Sequence, residues 1–215
     1  YAALWMVGGA TPGGWSIGDG VQLKIGENNE ILLRGKTITT GYYKKPEATA
    51  AAIDRDGWFH TGDAGYLKDS HLYLTERIKD LFKTSNGKYI SPQALETKLA
   101  IDRYIDQIAV IADERKFVSA LIVPVYGFVK DYAKEKGIAY SNMDELLQHP
   151  KIQALFRARI DTLQQQFAHY EQVKRFTLLT EPFSMERGEL TNTLKLKRSV
   201  VAKNYKGLID KMYEE

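Results

Sequence analysis

The sequence predicts an α+β protein in which a small β-rich subdomain is followed by a C-terminal domain with a β-hairpin, a small sheet and packed helices. Two observations lead to this prediction. Up to about Lys79, short apolar runs are broken by glycine, asparagine and proline, which is typical of strands joined by turns. Beyond Lys79, β-branched runs give way to apolar residues spaced three and four apart, which is typical of helices. We therefore expect two domains, residues 1–79 and residues 80–215.

The first domain is expected to consist mainly of strands. Alternating or short apolar runs predict strands at 21–25, 31–34 and 71–75. A helix is predicted over 46–53, because its proline can occupy the first turn and its glutamate and alanines favour helix. The pairs Gly8-Gly9 and Gly13-Gly14 are predicted to be flexible turns rather than an anion-binding loop, since no helix start follows them.

The second domain is expected to open with a hairpin. Asn86-Gly87, between residues 80–85 and 88–90, favours a type I′ turn, in which both central residues have positive φ. Ser91-Pro92 then supplies an N-cap and a first-turn proline for a helix that ends near Ala100.

The rest of the second domain is expected to combine a strand pair with helices. The β-branched runs at 105–112 and 118–126 should form an antiparallel pair. Helices are predicted over 129–136, from an N-cap at Ser141 that Asp144 completes, along an apolar stripe from Ile152 to Tyr170, and over the tail 197–213. We expect the stripe to pack on the domain's own sheet rather than to dock a partner.

The composition excludes several kinds of site. Without cysteine there are no disulfides, zinc–thiolate centres or cysteine nucleophiles. A net charge of +3 gives no reason to expect a nucleic-acid partner. The four histidines show no close ligand pairing, so structural or surface roles are expected for them. No apolar run approaches the roughly 18 residues that a membrane-spanning helix needs.

Two segments carry a carboxylate and a guanidinium fourteen residues apart. In Gly57-Trp58-Phe59-His60-Thr61-Gly62-Asp63, a tight Thr-Gly-Asp turn is expected to project the Asp63 carboxylate from a strand end. Arg77 follows in Glu76-Arg77-Ile78-Lys79-Asp80. A carboxylate accepts hydrogen bonds from neighbouring ribose hydroxyls, and a guanidinium donates to the same sugar or its phosphate.

These segments resemble motifs of the adenylate-forming enzymes, the superfamily of acyl-CoA synthetases, luciferases and peptide-synthetase adenylation domains. Further matches in family order are residues 30–35 and 41–49, the glycine loop Lys83–Pro92, and Glu189–Arg198 with its Thr-x-x-x-Lys-x-x-Arg pattern. Within the superfamily the chain is most similar to long-chain fatty acyl-CoA synthetases, through Glu76, Lys79 and the helical insertion at 129–170. Asn192 departs from the proline often found at its position, which affects loop stiffness and leaves the assignment of the motif lysine unchanged.

The resemblance implies a role for each matched side chain. It implies that Asp63 and Arg77 bind ATP and AMP, that Lys79 and Asp80 form an interdomain hinge, that Ser85, Gly87 and Lys88 lie at the coenzyme A site, and that Lys195 is the catalytic lysine of adenylation. Lys197 is the alternative register for that lysine, but only Lys195 leaves Arg198 at the trailing arginine of the motif.

The implied reaction uses ATP, a fatty acid and coenzyme A as substrates. The resemblance places the phosphate-binding loop and the glutamate that binds Mg²⁺ before Tyr1, in a preceding N-terminal domain, and no metal ligand is expected in these 215 residues. By the same resemblance the chain is a C-terminal fragment that is inactive alone. We expect the full-length enzyme to be cytoplasmic, with peripheral contact to the inner face of a membrane as a further expectation.

Two alternative functions remain open at this point. The first is an adenylation domain that loads a carrier protein, or a ligase for another carboxylate, because the acyl pocket would lie in the preceding domain. The second is a non-catalytic docking module of the same fold. Docking needs none of Asp63, Arg77 and Lys195, so the presence of all three argues against it.

Overall fold

The computed structural model describes residues 10–11, 14–16, 20–69 and 71–214, which fall into two compact units, Tyr1–Leu81 and Phe82–Glu215. The structural boundary therefore lies just beyond the predicted boundary at Lys79 and Asp80, which stays a prediction, as does the hinge. Gly8, Gly9 and Gly13, three of the four glycines predicted to form turns, lie outside the described residues.

The first unit contains an antiparallel sheet. Its strands are β1 (Ala10–Thr11), β2 (Gly14–Ser16), β3 (Val21–Ile25), β4 (Glu30–Gly35), β5 (Phe59–Lys68) and β6 (His71–Arg77), in the spatial order β1-β2-β6-β5-β4-β3. Helix α1 (Pro46–Ala52) follows β4. The core is built around Ile31, Leu33 and Leu72, which are fully buried. The three predicted strands and the helix are confirmed.

The predicted Thr-Gly-Asp turn at a strand end was wrong in one respect, because these residues lie inside β5. Gly62 has a φ of +68°, and the pairing of β5 with β6 shifts register between Asp63 and Gly65. A glycine in the left-handed region is a common way to build a β-bulge, which kinks a strand without ending it. The local sequence signal for a turn was therefore a signal for a bulge.

The second unit is a three-stranded sheet covered by helices on both faces. In chain order its elements are strands β7 (Phe82–Lys83) and β8 (Tyr89–Ile90), α2 (Pro92–Leu99), β9 (Ile105–Ile111), β10 (Val118–Pro124), α3 (Tyr126–Glu135), α4 (Met143–Gln148), α5 (Pro150–Leu163), β11 (Val173–Leu178), α6 (Arg198–Asn204) and α7 (Lys206–Tyr213). Strand β10 lies in the centre, antiparallel to β9 and parallel to β11, while β7 and β8 form a separate pair.

Strand β10 is buried along its whole length, and its side chains alternate between two cores. Ala120 and Ile122 contribute to the core under α2, α3, α4 and α5, whereas Leu121 and Val123 contribute to the core under α6 and α7. This alternation follows from the two-residue period of a strand. A strand covered on both faces is expected to be a continuous apolar run, as this one nearly is.

Three helix predictions need correction. Helix α5 ends at Leu163, so the apolar stripe continues to Phe167 outside the helix, although Phe167 still packs on the same core. The N-cap of α4 is Asn142, which accepts from the Glu145 amide, while Glu145 accepts from the Ser141 amide. The tail forms two helices, α6 and α7, which meet at Tyr205.

Strand β11 was not predicted, because its apolar residues are interrupted by Lys174 and Arg175.

The hairpin is confirmed, but the predicted type I′ turn was wrong. The Thr84 amide donates to the Lys88 carbonyl, and the Gly87 amide donates to the Thr84 carbonyl. Gly87 has a φ of +74°, whereas Asn86 is not among the residues with positive φ. Three loop residues with only the last in the left-handed region are typical of a hairpin that closes with a bulge.

None of the helices within the described residues has both the length and the apolar character needed to cross a membrane.

Backbone conformation, rather than space, explains the need for glycine at position 87. A Cβ at Gly87 would meet no atom within 4 Å. We expect Gly87→Ala to lower the free energy of unfolding by about 1 kcal/mol, the cost of a non-glycine residue in the left-handed region. Gly127 in α3 is the matched control, since it also has open space around it but no positive φ. Gly127→Ala should raise stability by about 0.5 to 1 kcal/mol. Chemical denaturation of both variants measures the difference, and equal effects would contradict this explanation.

Candidate functional site

The cross-strand register of β5 and β6 brings Asp63 and Arg77 together. The two residues are directly paired, and Asp63 Oδ1 lies 3.4 Å from Arg77 Nε. Asp63 is only 7% exposed, whereas the Arg77 side chain is about half-buried. The pair places a hydrogen-bond acceptor beside a group with several donors. The sequence predicted that both residues bind the same nucleotide, and that role stays a prediction.

The bulge that carries Asp63 is held by side chains from β4 and β5. Thr61 Oγ1 donates to the Ile31 carbonyl at 2.7 Å and accepts from the Asp63 amide at 3.1 Å. Glu30 Oε1 accepts from the Gly62 amide at 3.0 Å, and Glu30 Oε2 lies 2.9 Å from His60 Nδ1. Glu30 and His60 were not predicted as site residues. Their contact joins positions far apart in the chain, and no local spacing signals it.

Lys79 and Asp80 lie in a single 3₁₀ turn, Ile78–Asp80, directly after β6. Both side chains are exposed, and the turn closes through a hydrogen bond from the Leu81 amide to the Ile78 carbonyl. A turn with one such bond offers little resistance to backbone rotation. The hinge role stays a prediction.

The hairpin residues expected at the coenzyme A site, Ser85, Gly87 and Lys88, are all exposed. The hairpin is fixed from the side, because the Ser85 amide donates to the Arg115 carbonyl and the Glu114 amide donates to the Lys83 carbonyl. The Lys88 ammonium lies 5.7 Å from the centre of the Tyr170 ring. The hairpin thus presents its tip to solvent while its base is tied to the turn between β9 and β10.

Lys195 lies on a tight loop, which we call the lysine loop and define as Leu190–Leu196. Its ends pair through a bridge between Leu190 and Leu196. Within it, the Thr191 amide donates to the Lys195 carbonyl at 2.8 Å, and Thr191 Oγ1 accepts from the Lys195 amide at 3.0 Å. Lys195 itself is exposed. The loop therefore fixes the backbone of Lys195 and leaves its ammonium at the surface.

The two ends of the motif are anchored by ion pairs. Arg198 begins α6 and pairs with Glu96 of α2, with Nη2 2.7 Å from Glu96 Oε2. Just before the loop, the buried Glu189 carboxylate pairs with Arg187. Burial raises the pKa of the Glu189 carboxyl, but hydrogen bonds from Arg187, Asn204 and the Ser184 amide outweigh that effect and leave the pKa below its ordinary value.

The residue before Lys195 carries backbone strain. Leu194 has a φ of +58° and is 67% exposed. A left-handed conformation costs a non-glycine residue roughly 1 to 2 kcal/mol. Because the Leu194 side chain is exposed, its burial does not compensate for this cost. The hydrogen bonds of the lysine loop must therefore offset this cost.

We expect Leu194→Gly to leave the free energy of unfolding unchanged or to raise it, because relief of the strain offsets the added freedom of glycine in the unfolded chain. Leu194→Val should lower it by about 1 kcal/mol, since a β-branched residue is least tolerant of positive φ. Leu208→Gly in α7 is the control: Leu208 is also exposed but helical, so glycine should cost about 1 kcal/mol there. Denaturant titration compares the three, and equal losses for the two glycine variants would refute the strain argument.

Sequence comparison shows the family. A profile of the AMP-binding enzyme C-terminal domain matches residues 79–215. The peroxisomal long chain acyl-CoA synthetase 7 of Arabidopsis thaliana is 37% identical over 190 residues, which is 86% of this chain and 27% of that protein. The long-chain-fatty-acid–CoA ligase FadD15 of Mycobacterium tuberculosis is 32% identical over 198 residues, 91% of this chain and 33% of that protein. The chain thus spans about a third or less of these relatives.

Comparison with solved structures supports the same fold. The adenylation domain of a carboxylate reductase from Mycobacterium chelonae has a TM-score of 0.63 at 26% identity, covering 86% of this chain and 28% of that chain. ATP-bound MatB from Rhodopseudomonas palustris has a TM-score of 0.55 at 20% identity, covering 90% and 36%, and shares the fold alone. The predicted fold class and the resemblance to adenylate-forming enzymes, with long-chain acyl-CoA synthetases as relatives, are confirmed. The family profile matches more than half of the chain. The chain therefore belongs to the family of AMP-binding enzyme C-terminal domains.

Proposed function

We propose that this chain is the C-terminal part of an ATP-dependent long-chain fatty acid–CoA ligase, an acid–thiol ligase that releases AMP. The lysine loop carries the proposal: its hydrogen bonds fix the backbone around Lys195 and leave one exposed ammonium. Two relatives with 37% and 32% identity are named as long-chain acyl-CoA synthetase and ligase, which supports the substrate class.

The proposed reaction has two halves. In the first, a carboxylate oxygen of the fatty acid attacks the α-phosphorus of ATP, a new acyl–phosphate bond forms, and pyrophosphate leaves. In the second, the coenzyme A thiolate attacks the acyl carbon and AMP leaves with the bonding electrons. Negative charge gathers between carboxylate and phosphate in the first half only. A positioned lysine ammonium stabilises that transition state, because a compact point charge on a long side chain can reach the crowded oxygens.

Asp63 and Arg77 are proposed to hold the ribose of the nucleotide in both halves. The nearly buried Asp63 carboxylate lies against Arg77, and its position is fixed through the bulge at Gly62. Both hydroxyls of a ribose can donate to one carboxylate, while the guanidinium has further donors for the sugar or its phosphate. A buried, pre-positioned carboxylate loses little entropy when it binds.

The domain that begins near Lys79 is proposed to serve both halves by rotating about Lys79 and Asp80. In one orientation it would present Lys195, and in the other the hairpin tip with Ser85, Gly87 and Lys88. The exposure of both the loop and the hairpin tip supports this use of one domain for two steps. The space where a Cβ of residue 87 would lie is open, which leaves room for a slender arm such as that of coenzyme A.

The Mg²⁺ that accompanies ATP is proposed to bind in the preceding domain of the full-length enzyme. Among the residues that the structure describes, no group of three or more His, Cys, Asp or Glu side chains is arranged to hold a metal ion. A magnesium ion bound with ATP would depend on ligands from the preceding domain of the full-length enzyme.

Three further expectations belong to the proposal. The full-length enzyme is cytoplasmic and contacts the inner face of a membrane. Fatty acid and coenzyme A are its partners, and this chain alone is inactive.

A ligase for another carboxylate is the second candidate. The solved carboxylate reductase domain, which is 26% identical, is the observation that favours it. We prefer a long-chain fatty acid as the substrate, since relatives named for that substrate are 32% to 37% identical over most of the chain.

We expect Lys195→Ala in the full-length enzyme to slow acyl-adenylate formation by two to three powers of ten. Losing one charge aimed at a transition state costs about 3 to 4 kcal/mol. Thioester formation from supplied acyl-adenylate should stay nearly normal. Pyrophosphate release measures the first half, and acyl-CoA formation from purified acyl-adenylate measures the second.

Lys197→Ala is the matched control, because Lys197 is also exposed and lies two positions further along. It should leave both halves near normal, and a bulky residue at Gly87 should slow only the second half. A selective loss in Lys197→Ala, or equal loss of both halves in Lys195→Ala, would overturn the assignment of Lys195.

Asp63→Asn should raise the KM for ATP by about tenfold or more, because hydrogen bonds to a charged acceptor contribute about 1.5 to 3 kcal/mol. The matched control is Asp69→Asn, which removes the same charge from the exposed turn of the same β5–β6 hairpin. Steady-state kinetics with varied ATP compares the two. Equal KM values for ATP in the two variants would contradict the ribose role.

A further inference from the structure

Glu189 is a buried carboxylate that the proposed reaction does not yet use. Its side chain is only 1% exposed, and it lies immediately before the lysine loop. A buried charge is costly unless paired and hydrogen-bonded. Here its oxygens accept from the Ser184 amide at 3.0 Å, from Arg187 Nε at 3.1 and 3.2 Å, and from Asn204 Nδ2 at 3.1 Å.

The backbone of Glu189 closes the lysine loop from both sides. Its amide donates to the Ser184 carbonyl at 3.0 Å, and its carbonyl accepts from the Lys197 amide at 2.8 Å. One residue therefore binds the segment before the loop and the residue directly after it. Through Asn204, the carboxylate also binds the last residue of α6, the helix that follows the loop.

These contacts join three parts of the chain at the base of the loop. The turn with Ser184 and Arg187 lies on one side, α6 lies on the other, and the Glu189 carboxylate bonds to both. A simple packing role would be filled by an apolar side chain, which often stabilises as well as a buried ion pair does. A carboxylate with donors from separate segments instead specifies one arrangement of them.

We propose that Glu189 is a positioning residue that fixes the lysine loop, and through it the Lys195 ammonium, for the adenylation half-reaction. The inference rests on the proposed function, because it assigns Glu189 to the half that Lys195 serves. A displacement of about 1 Å in a positioned group can cost about a hundredfold in rate. Loss of the anchor should therefore affect adenylation and spare the step in which Lys195 has no part.

Glu189→Gln in the full-length enzyme tests this with almost no change of shape. Both carboxylate oxygens accept hydrogen bonds, so the amide nitrogen of glutamine faces a donor that it cannot accept from. We expect the kcat of acyl-adenylate formation to fall by about tenfold or more. The KM for ATP should change by less than about twofold, and thioester formation from supplied acyl-adenylate should be unchanged.

The matched control is Glu181→Gln. Glu181 also pairs with Arg187, at 3.1 Å, but its side chain is 73% exposed, whereas the Glu189 carboxylate is buried at the base of the loop. Glu181→Gln removes one carboxylate charge from the same guanidinium but leaves Glu189 in place. The rates of both half-reactions should therefore stay near those of the wild type. Asn204→Ala is a milder variant that removes one donor to Glu189 and should show a smaller defect in adenylation alone.

Hydrogen exchange in the same full-length variants gives a readout other than activity. The amides of Thr191 and Lys195 should exchange faster in Glu189→Gln and not in Glu181→Gln, while the amides of β10 should exchange at the same rate in both. If Glu189→Gln does not fold, Asn204→Ala decides: a defect confined to adenylation supports the inference, and its absence overturns it.

Lys195→Ala measured in parallel separates the two proposals. If Lys195→Ala is not selective for adenylation, the proposed function fails. If Lys195→Ala is selective but Glu189→Gln and Asn204→Ala are normal, or slow both halves equally, only the role of Glu189 fails.

Discussion

The burial of β10 on both faces is the constraint on which the second unit depends. Each residue of β10 is buried, so neither face of the sheet can stay open to water. Helices α2 to α5 cover one face, and α6 and α7 cover the other. Only Lys197 separates the lysine loop from α6, so the position of the loop follows from the helices on the second face. The hairpin is tied to the turn between β9 and β10 through Ser85 and Lys83. The sheet therefore places both candidate functional loops.

Glu96 links these parts more directly than the apolar cores do. From α2 it accepts from the Val110 amide of β9 at 2.8 Å, and it also pairs with Arg198 at the start of α6. The Arg198 guanidinium lies 5.6 Å from the ring centre of Phe82, in the first strand of the hairpin. The trailing arginine of the lysine motif is thus a structural residue. Its contacts join the end of the lysine loop, α2 and the base of the hairpin.

Local signals in the sequence were sufficient to predict many of the helices and strands. Ser91-Pro92 predicted the start of α2, and the Ser91 side chain does accept from the Ala94 amide. The β-branched runs predicted β9 and β10, because a strand buried on both faces needs a continuous apolar run. The motifs also singled out Asp63 and Arg77, which the structure pairs across β5 and β6. In each of these cases the residues that determine the structure are close together in the chain or belong to a known motif.

The features that were missed depend on contacts between distant positions. Strand β11 pairs in parallel with β10, and with Lys174 and Arg175 among its six residues it lacks the apolar pattern of a strand when taken alone. The support of the Gly62 bulge by Glu30 joins two strands, and no local spacing indicates it. At Asn86-Gly87 the dipeptide predicted a hairpin correctly, but the length of the loop decided which of the two residues takes positive φ.

The strain at Leu194 and the anchor at Glu189 belong to one physical problem. A loop that holds an exposed leucine in the left-handed region is less stable than a relaxed loop by roughly 1 to 2 kcal/mol. Thr191 offsets part of this cost by accepting from the amides of Thr193 and Lys195 with its hydroxyl. Glu189 closes the base of the same loop with a buried carboxylate. The direction of the next residue, Lys195, depends on that conformation. Strain that is maintained by so many hydrogen bonds beside one exposed ammonium supports the proposal that the loop is built to place that charge.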